Sequence, residues 1–271
     1  MKKLLVPIDF EETTKKALNY AVKIAQDFDY EVHLLHLLDS ENERSSVKNK
    51  MNQLIDQFDS STQDILKPHI LQGKIDKDIS KTAETIEASF IIMGTHKNKR
   101  LSKVFGSKAI KVVSESKTPF IIIQEDGSLG NINKIAMTID LEKESVQIVK
   151  AATELSKIFG SEIILVGGDH TDPSLKSKVA VNVTTTRRLL AKNGIKSSVE
   201  LLERKNFLEN FIDYCASNGI DLIAATYYPD TFTVFSSKFV QKLMENEAGI
   251  PVLTLDSQAV TKGTQYSFMS I

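Results

Sequence analysis

One long internal repeat constrains this chain more than any other feature. Lys2-Lys3-Leu4-Leu5-Val6-Pro7-Ile8-Asp9 is echoed by Asn133-Lys134-Ile135-Ala136-Met137-Thr138-Ile139-Asp140, with Asp9 and Asp140 standing 131 positions apart. The same offset carries Tyr30-Glu31-Val32-His33-Leu34-Leu35 onto Ser161-Glu162-Ile163-Ile164-Leu165-Val166. Farther along, Phe90-Ile91-Ile92 meets Leu222-Ile223-Ala224, and Pro119-Phe120-Ile121-Ile122 meets Pro251-Val252-Leu253-Thr254. A repeat of this length is a whole domain, not one turn of a solenoid. The 271 residues suffice for two cores. The sequence predicts one domain over residues 1–126, a second over 131–257 and a tail over 258–271.

Each half opens with an apolar run instead of an alternating one, as suits a strand covered on both faces in a parallel sheet. A helical stretch follows, with Ala17, Ala21, Ile24, Ala25 and Phe28 at three- and four-residue steps and Asp9, Glu11 and Glu12 placing negative charge near its start. The spacing then predicts a strand over 31–38, a helix over 47–66, a short strand over 69–72, a helix over 77–87, a strand over 90–93, a helix over 107–114 and a strand over 120–123. Residues 41–48, with mixed charge and no apolar period, read as a solvated connection. The alternation predicts an α/β chain of two tandem doubly wound parallel sheets.

Pro119 and Pro251 each open an apolar strand, a position that proline tolerates at a sheet edge. A bare edge of Phe120-Ile121-Ile122-Ile123 would recruit another strand. The linker 124–131 is polar and could span about 26–29 Å if extended. The halves are therefore expected to pair edge to edge as an intrachain pseudo-dimer with pseudo-two-fold symmetry, and further dimerisation is open.

In such sheets ligands bind beyond the carboxyl ends of strands, where the strand order reverses. Asp9 ends the first strand. Gly94 begins a segment after the fourth, running through Lys97, Lys99, Arg100 and Lys103 to Gly106 and Ser107. Glycine permits a sharp turn and close backbone approach, while a helix start and cations favour an anion. These residues describe a candidate phosphate cradle, with a degenerate loop of solvated charges as the other reading.

The strand ending in Asp9, the run His36-Leu37-Leu38-Asp39, and a glycine loop closing on Gly-Ser ahead of a helix and a Thr-Pro strand together resemble the universal stress protein family. The resemblance covers nearly the whole chain twice and implies an adenine-nucleotide alpha-hydrolase-like fold. ATP-binding members carry a loop of the form G-x2-G-x9-G-[ST]. Gly94, Gly106 and Ser107 match its ends, but Lys97 occupies the middle glycine position and the second spacing is one residue short. The resemblance implies that Asp9 lies beside the sugar or phosphates of ATP or a related adenine nucleotide and that the strand end near Leu37 lines the base pocket. Lys97 either obstructs the backbone approach or supplies charge to phosphate.

The second half carries Thr226 and Ser236 where those glycines would stand, so no ATP is expected there. Tyr227, Tyr228, Phe232 and Phe235 read as packing residues facing the other domain or a partner. His33, His36 and the run Gly168-Asp169-His170-Thr171-Asp172 lack a metal-ligand spacing, so no metal is expected. The lone Cys215 reads as an inert helical thiol. No nucleophile elbow, zinc helix or Walker loop is present, and catalysis is not expected. A formal charge of −1 gives no general attraction to nucleic acid, and no apolar run approaches the roughly 20 residues of a membrane span. A cytoplasmic location follows as an expectation. Three functions remain in order: a stress-response module binding ATP or a related adenine nucleotide in domain 1, an interaction or scaffold protein with both sites degenerate, and a weak nucleotide hydrolase. The tail 258–271 is a candidate contact in the second of these.

Overall fold

The computed structural model describes residues 1–95, 109–125, 127, 130–228 and 237–258. The chain divides into two compact units, Met1–Asp126 and Gly127–Ile271. In the first, the elements run β1 (Lys2–Pro7), α1 (Glu12–Asp27), β2 (Tyr30–Leu38), a 3-10 turn (Glu41–Glu43), α2 (Arg44–Ile55), α3 (Ser60–Ile65), β3 (Leu66–Gln72), α4 (Ile75–Thr85), β4 (Phe90–Thr95), α5 (Ala109–Ser114) and β5 (Phe120–Gln124). The strands pair in parallel in the order β3-β2-β1-β4-β5. Right-handed crossovers place α1 to α3 on one face and α4 with α5 on the other. Strands buried on both faces need uniformly apolar side chains, and Leu4, Leu5, Phe90, Ile91, Ile92 and Phe120 to Ile123 are all fully buried.

The second unit repeats the plan with β6 (Lys134–Ile139), a 3-10 turn (Lys143–Val146), α6 (Val149–Phe159), β7 (Glu162–Asp169), α7 (Pro173–Lys192), β8 (Ser197–Glu203), α8 (Phe207–Ser217), β9 (Leu222–Tyr227), α9 (Ser237–Met244) and β10 (Val252–Asp256). Its strands are also parallel, in the order β8-β7-β6-β9-β10. Phe207, Phe211 and Phe239 stack between α8 and α9, with ring centroids 6.0 to 6.5 Å apart.

Local chemistry moves several expected boundaries. The helix predicted over 47–66 is two helices, because the Asp59 carboxylate accepts the Thr62 backbone N–H (3.0 Å) and hydroxyl (2.9 Å) and so starts α3 afresh. The stretch 41–48 is not an irregular connection. Arg44 donates twice to Glu41, at 2.6 and 2.7 Å, and once to the Ile70 carbonyl at 2.8 Å, which pins the start of α2 to β3. Strand β4 continues past Met93 to Thr95, in register with Gln124 of β5.

Candidate functional site

The first unit brings Asp9, Leu37 and Gly94 to the carboxyl ends of three adjacent strands, β1, β2 and β4, where the order reverses around β1. Beyond β1 the chain stays tied to β2, since the Ile8 N–H donates to the Leu35 carbonyl at 2.8 Å. The Ile8 carbonyl accepts from His36 Nδ1 at 2.7 Å, which fixes the proton on that nitrogen and leaves Nε2 with a lone pair in the neutral ring. Phe10 then takes a left-handed backbone, φ 70°, a costly conformation for a bulky residue. Its ring rests on His36, centroids 4.9 Å apart, and Lys50 Nζ lies 5.8 Å from its centre.

Asp9 is half-buried, and its Oδ1 accepts the Glu11 N–H at 3.0 Å and the Thr14 hydroxyl at 2.8 Å. It thereby organises the entry into α1, whose own cap residue Glu11 makes no side-chain cap bond. Leu37, also half-buried, projects to the opposite face of β2 from His36.

Gly94 departs from the expectation that it turns the backbone toward a ligand. It lies inside β4, is buried, and faces α1. A methyl built there would stand 2.6 Å from the Thr13 carbonyl carbon and closer still to its oxygen. Glycine is required so that the first turn of α1 can settle on β4. Lys97, Gly106 and Ser107, with Lys99, Arg100 and Lys103, lie outside the described residues.

The second unit shows what the same place becomes without the glycine. Continuing the register that pairs Leu4 with Phe90 and Ile135 with Leu222, Thr226 occupies the position of Gly94. Its side chain holds the following turn at a distance, with Oγ1 3.5 Å from the carbonyls of Glu144 and Ser145. Ser145 is the counterpart of Thr14, yet its buried hydroxyl does not reach Asp140 and lies instead beside the Tyr228 phenol, and among the described residues Oδ2 of Asp140, the counterpart of Asp9, has no partner. Oδ1 of Asp140 keeps only the Leu141 N–H, at 2.6 Å. Asp140 is 7% exposed, and burial pushes its carboxyl up to about 6. The Leu141 N–H opposes that rise, Glu142 adds to it, and Arg204 offsets a little. Tyr228 is buried within this unit beside the same group. Burial raises its phenol, with Asp140, Glu144 and Glu142 adding to the effect. Tyr227 is buried in β9, while Phe232 and Phe235 lie outside the described residues.

Sequence reasoning missed a histidine pair on the first sheet. His33 Nδ1 and His69 Nε2 are 2.8 Å apart, with rings nearly parallel, and Glu31 Oε2 lies 3.4 Å from the other nitrogen of His33. The β2–β3 register sets Leu35 opposite His69, so His33 and His69 are diagonal neighbours on one face. Burial lowers both histidines, and for His33 Glu31 opposes the shift while His69 adds to it. The two nitrogens of His33 point to different partners, which makes a relay and not a chelate. Among the described residues no group of three or more metal-ligating side chains converges. Asp172, in the run that lacks a metal-ligand spacing, caps α7 by accepting the Leu175 N–H at 3.0 Å. Cys215 is fully buried, and its thiol is pushed up to about 12, so it is not a ready nucleophile.

Two units, each with five parallel strands wound around a first strand that leads into an aspartate, define a tandem doubly wound α/β protein. Residues 1–124, which make up most of the first unit, match the model of the Universal stress protein family. A universal stress protein of Methanocaldococcus jannaschii is 24% identical over 144 residues, which span 46% of this chain and 82% of the relative. In fold, the chain is similar to a universal stress protein from Archaeoglobus fulgidus DSM 4304, with a TM-score of 0.73 at 15% identity over 94% of this chain and 98% of that one. It is also similar to the cytoplasmic domain of a prokaryotic cation chloride cotransporter, with a TM-score of 0.57 at 16% identity over 94% and 96%. Among the described residues, no helix is long and apolar enough to cross a membrane.

Proposed function

We propose that the chain is a cytoplasmic stress-response module whose first unit binds ATP or a related adenine nucleotide, without catalysing a reaction on it. The observation that carries this reading is the strand-order reversal in the first unit. There Asp9 is half-exposed, and β4 runs directly into a segment bearing Lys97, Gly106 and Ser107. Backbone N–H groups near Gly106, together with the cations, would hold phosphates. The base would lie toward the end of β2, near Leu37. In the second unit Thr226 stands in the place of Gly94, and Asp140 with Glu142 and Glu144 would repel an anion, so one nucleotide per chain is expected.

Titration calorimetry of the full chain with ATP tests this. The expected result is one site per chain, abolished by Gly106→Val and weakened only a few-fold by Lys97→Ala. No heat at millimolar ATP from folded protein overturns it and favours an interaction module with both sites degenerate. ADP accumulating under the same conditions would identify a hydrolase.

A further inference from the structure

The second unit holds a group of buried polar atoms that the nucleotide reading does not use. Among the described residues Asp140 Oδ2 has no hydrogen-bond partner, and the Ser145 hydroxyl and the Tyr228 phenol, which interact at most weakly with each other, are buried beside it, on residues 7%, 2% and 3% exposed. They converge from three places: the end of β6, the 3-10 turn that follows it, and the end of β9. We propose that Asp140 is a proton-operated latch: neutral, its carboxyl allows the 3-10 turn Lys143–Val146 and Tyr228 to close over it, and ionised, it forces that cover to open to water.

Among the described residues an ionised carboxylate in this position has one donor, the Leu141 N–H on Oδ1, and none on Oδ2. Burying a charge without partners costs far more than burying the neutral acid. The charges around it make the ionised form worse. From its own segment Glu142 raises the cost, and Glu144 adds negative charge at Tyr228. Arg204, at the β8–α8 connection, is the compensating cation, and its influence is the weakest of those acting on the carboxyl. From α7 comes a neutral group, the Asn182 amide, which donates to the Asp140 carbonyl at 2.7 Å and the Glu142 carbonyl at 3.1 Å and fixes the main chain. At the end of β7, His170 is lowered by burial and by Arg204, with Asp169 and Asp172 opposing. The moving part is the 3-10 turn, held by the Ser145 and Gln147 N–H bonds to Glu142 and Glu144 at 3.1 and 3.0 Å.

The sign follows from linkage. The closed state binds its proton more tightly than the open state, in which the carboxyl returns toward 3.8, so opening is favoured as pH rises between 3.8 and about 6. The opening constant should rise by roughly tenfold per pH unit in that window, about 100-fold in all, and level off above it. The full chain carries the test. The 13C resonance of the Asp140 carboxyl should titrate near pH 6. Hydrogen exchange at the Ser145 and Gln147 amides, corrected for intrinsic rates, should accelerate about 100-fold from pH 4 to pH 7, and Asp140→Asn should abolish the acceleration. A carboxyl midpoint near 4 overturns the latch, as does the same acceleration in Asp140→Asn. So does protection at pH 7 that returns with sodium or potassium but not with a bulky organic cation, since a bound ion would then hold the charge. If Asp140→Asn does not fold, the wild-type carboxyl midpoint alone decides the matter.

Discussion

The entry to the first helix of each unit starts from one sequence plan and reaches two different ends. In the first unit Gly94 lets the Thr13 carbonyl come down onto β4, so Thr14 reaches Asp9 and α1 begins at Glu12. In the second, Thr226 stands in that place, the segment is held off as a 3-10 turn, Ser145 loses Asp140, and α6 begins only at Val149. One missing Cβ separates a half-exposed aspartate with two donors from a buried aspartate with an unpartnered oxygen. The difference teaches that this glycine acts through packing before any ligand arrives.

The largest expected effect comes from exchanging those two residues. Gly94→Thr places atoms where the Thr13 carbonyl already sits, and because the obstacle is backbone, it cannot be relieved by a rotamer change. Overpacking of this kind typically costs about 1–3 kcal/mol and occasionally more, and here the upper end is expected. Thr226→Gly, by contrast, removes a side chain whose hydroxyl contacts are long, and should cost about 1 kcal/mol. Urea unfolding of both variants in the full chain measures the asymmetry. Equal costs would break the comparison.

Much of the architecture was legible because the repeat and the runs of buried strand residues are local signals that survive without coordinates. The equivalence of Gly94 with Thr226 was visible as well, but its meaning was not. A glycine before a cationic loop reads as a ligand contact, and only the crossing of α1 over β4 reveals the carbonyl it must accommodate. The histidine pair needed the β2–β3 register, which no spacing between residues 33 and 69 encodes. Asp59 followed by Ser60-Ser61-Thr62 is a capping signal that could have divided the predicted long helix, but the apolar period running through it hid the break. Tyr228 read as packing toward the other domain or a partner because nothing local places Asp140, 88 positions earlier, beside it.

A middle-sized effect should separate the two aspartates. Asp9→Ala removes the acceptor for the Thr14 hydroxyl and the Glu11 N–H, a loss close to that of a helix cap, about 1–2 kcal/mol. Asp140→Asn at pH 7.5 replaces an unsupported charge with a neutral isostere and should raise the midpoint of thermal unfolding. Calorimetry of the two variants beside the wild type gives both signs at once. Loss of stability at both positions would mean that Asp140 is held by contacts equivalent to those of Asp9.

The smallest expected effect sharpens the same contrast through pH. His33 and His69 are both lowered by burial, so the unfolded chain takes protons at about 6.5, before the folded first unit does. Stability from this pair is complete above 6.5 and is lost as pH falls below it. Asp140 has the opposite sense, because its folded form holds a proton up to about 6 and therefore gains on acidification. Between pH 6.5 and 5 the units should respond in opposite directions, in a window above the titration of the lowered carboxylates Glu12, Glu41, Asp59 and Asp76. His170 blurs the response of the second unit, since it too is lowered by burial, so each unit is best read as the difference between wild type and a variant. His69→Gln should remove part of the acid loss, and Asp140→Asn should remove the acid gain. The histidine effect should remain below that of either substitution already described, because the Glu31 carboxylate stabilises a proton on His33 and returns part of what burial takes away. If His69→Gln leaves the acid response unchanged, the pair titrates alike in the folded and unfolded chains, and the opposition between the units rests on Asp140 alone.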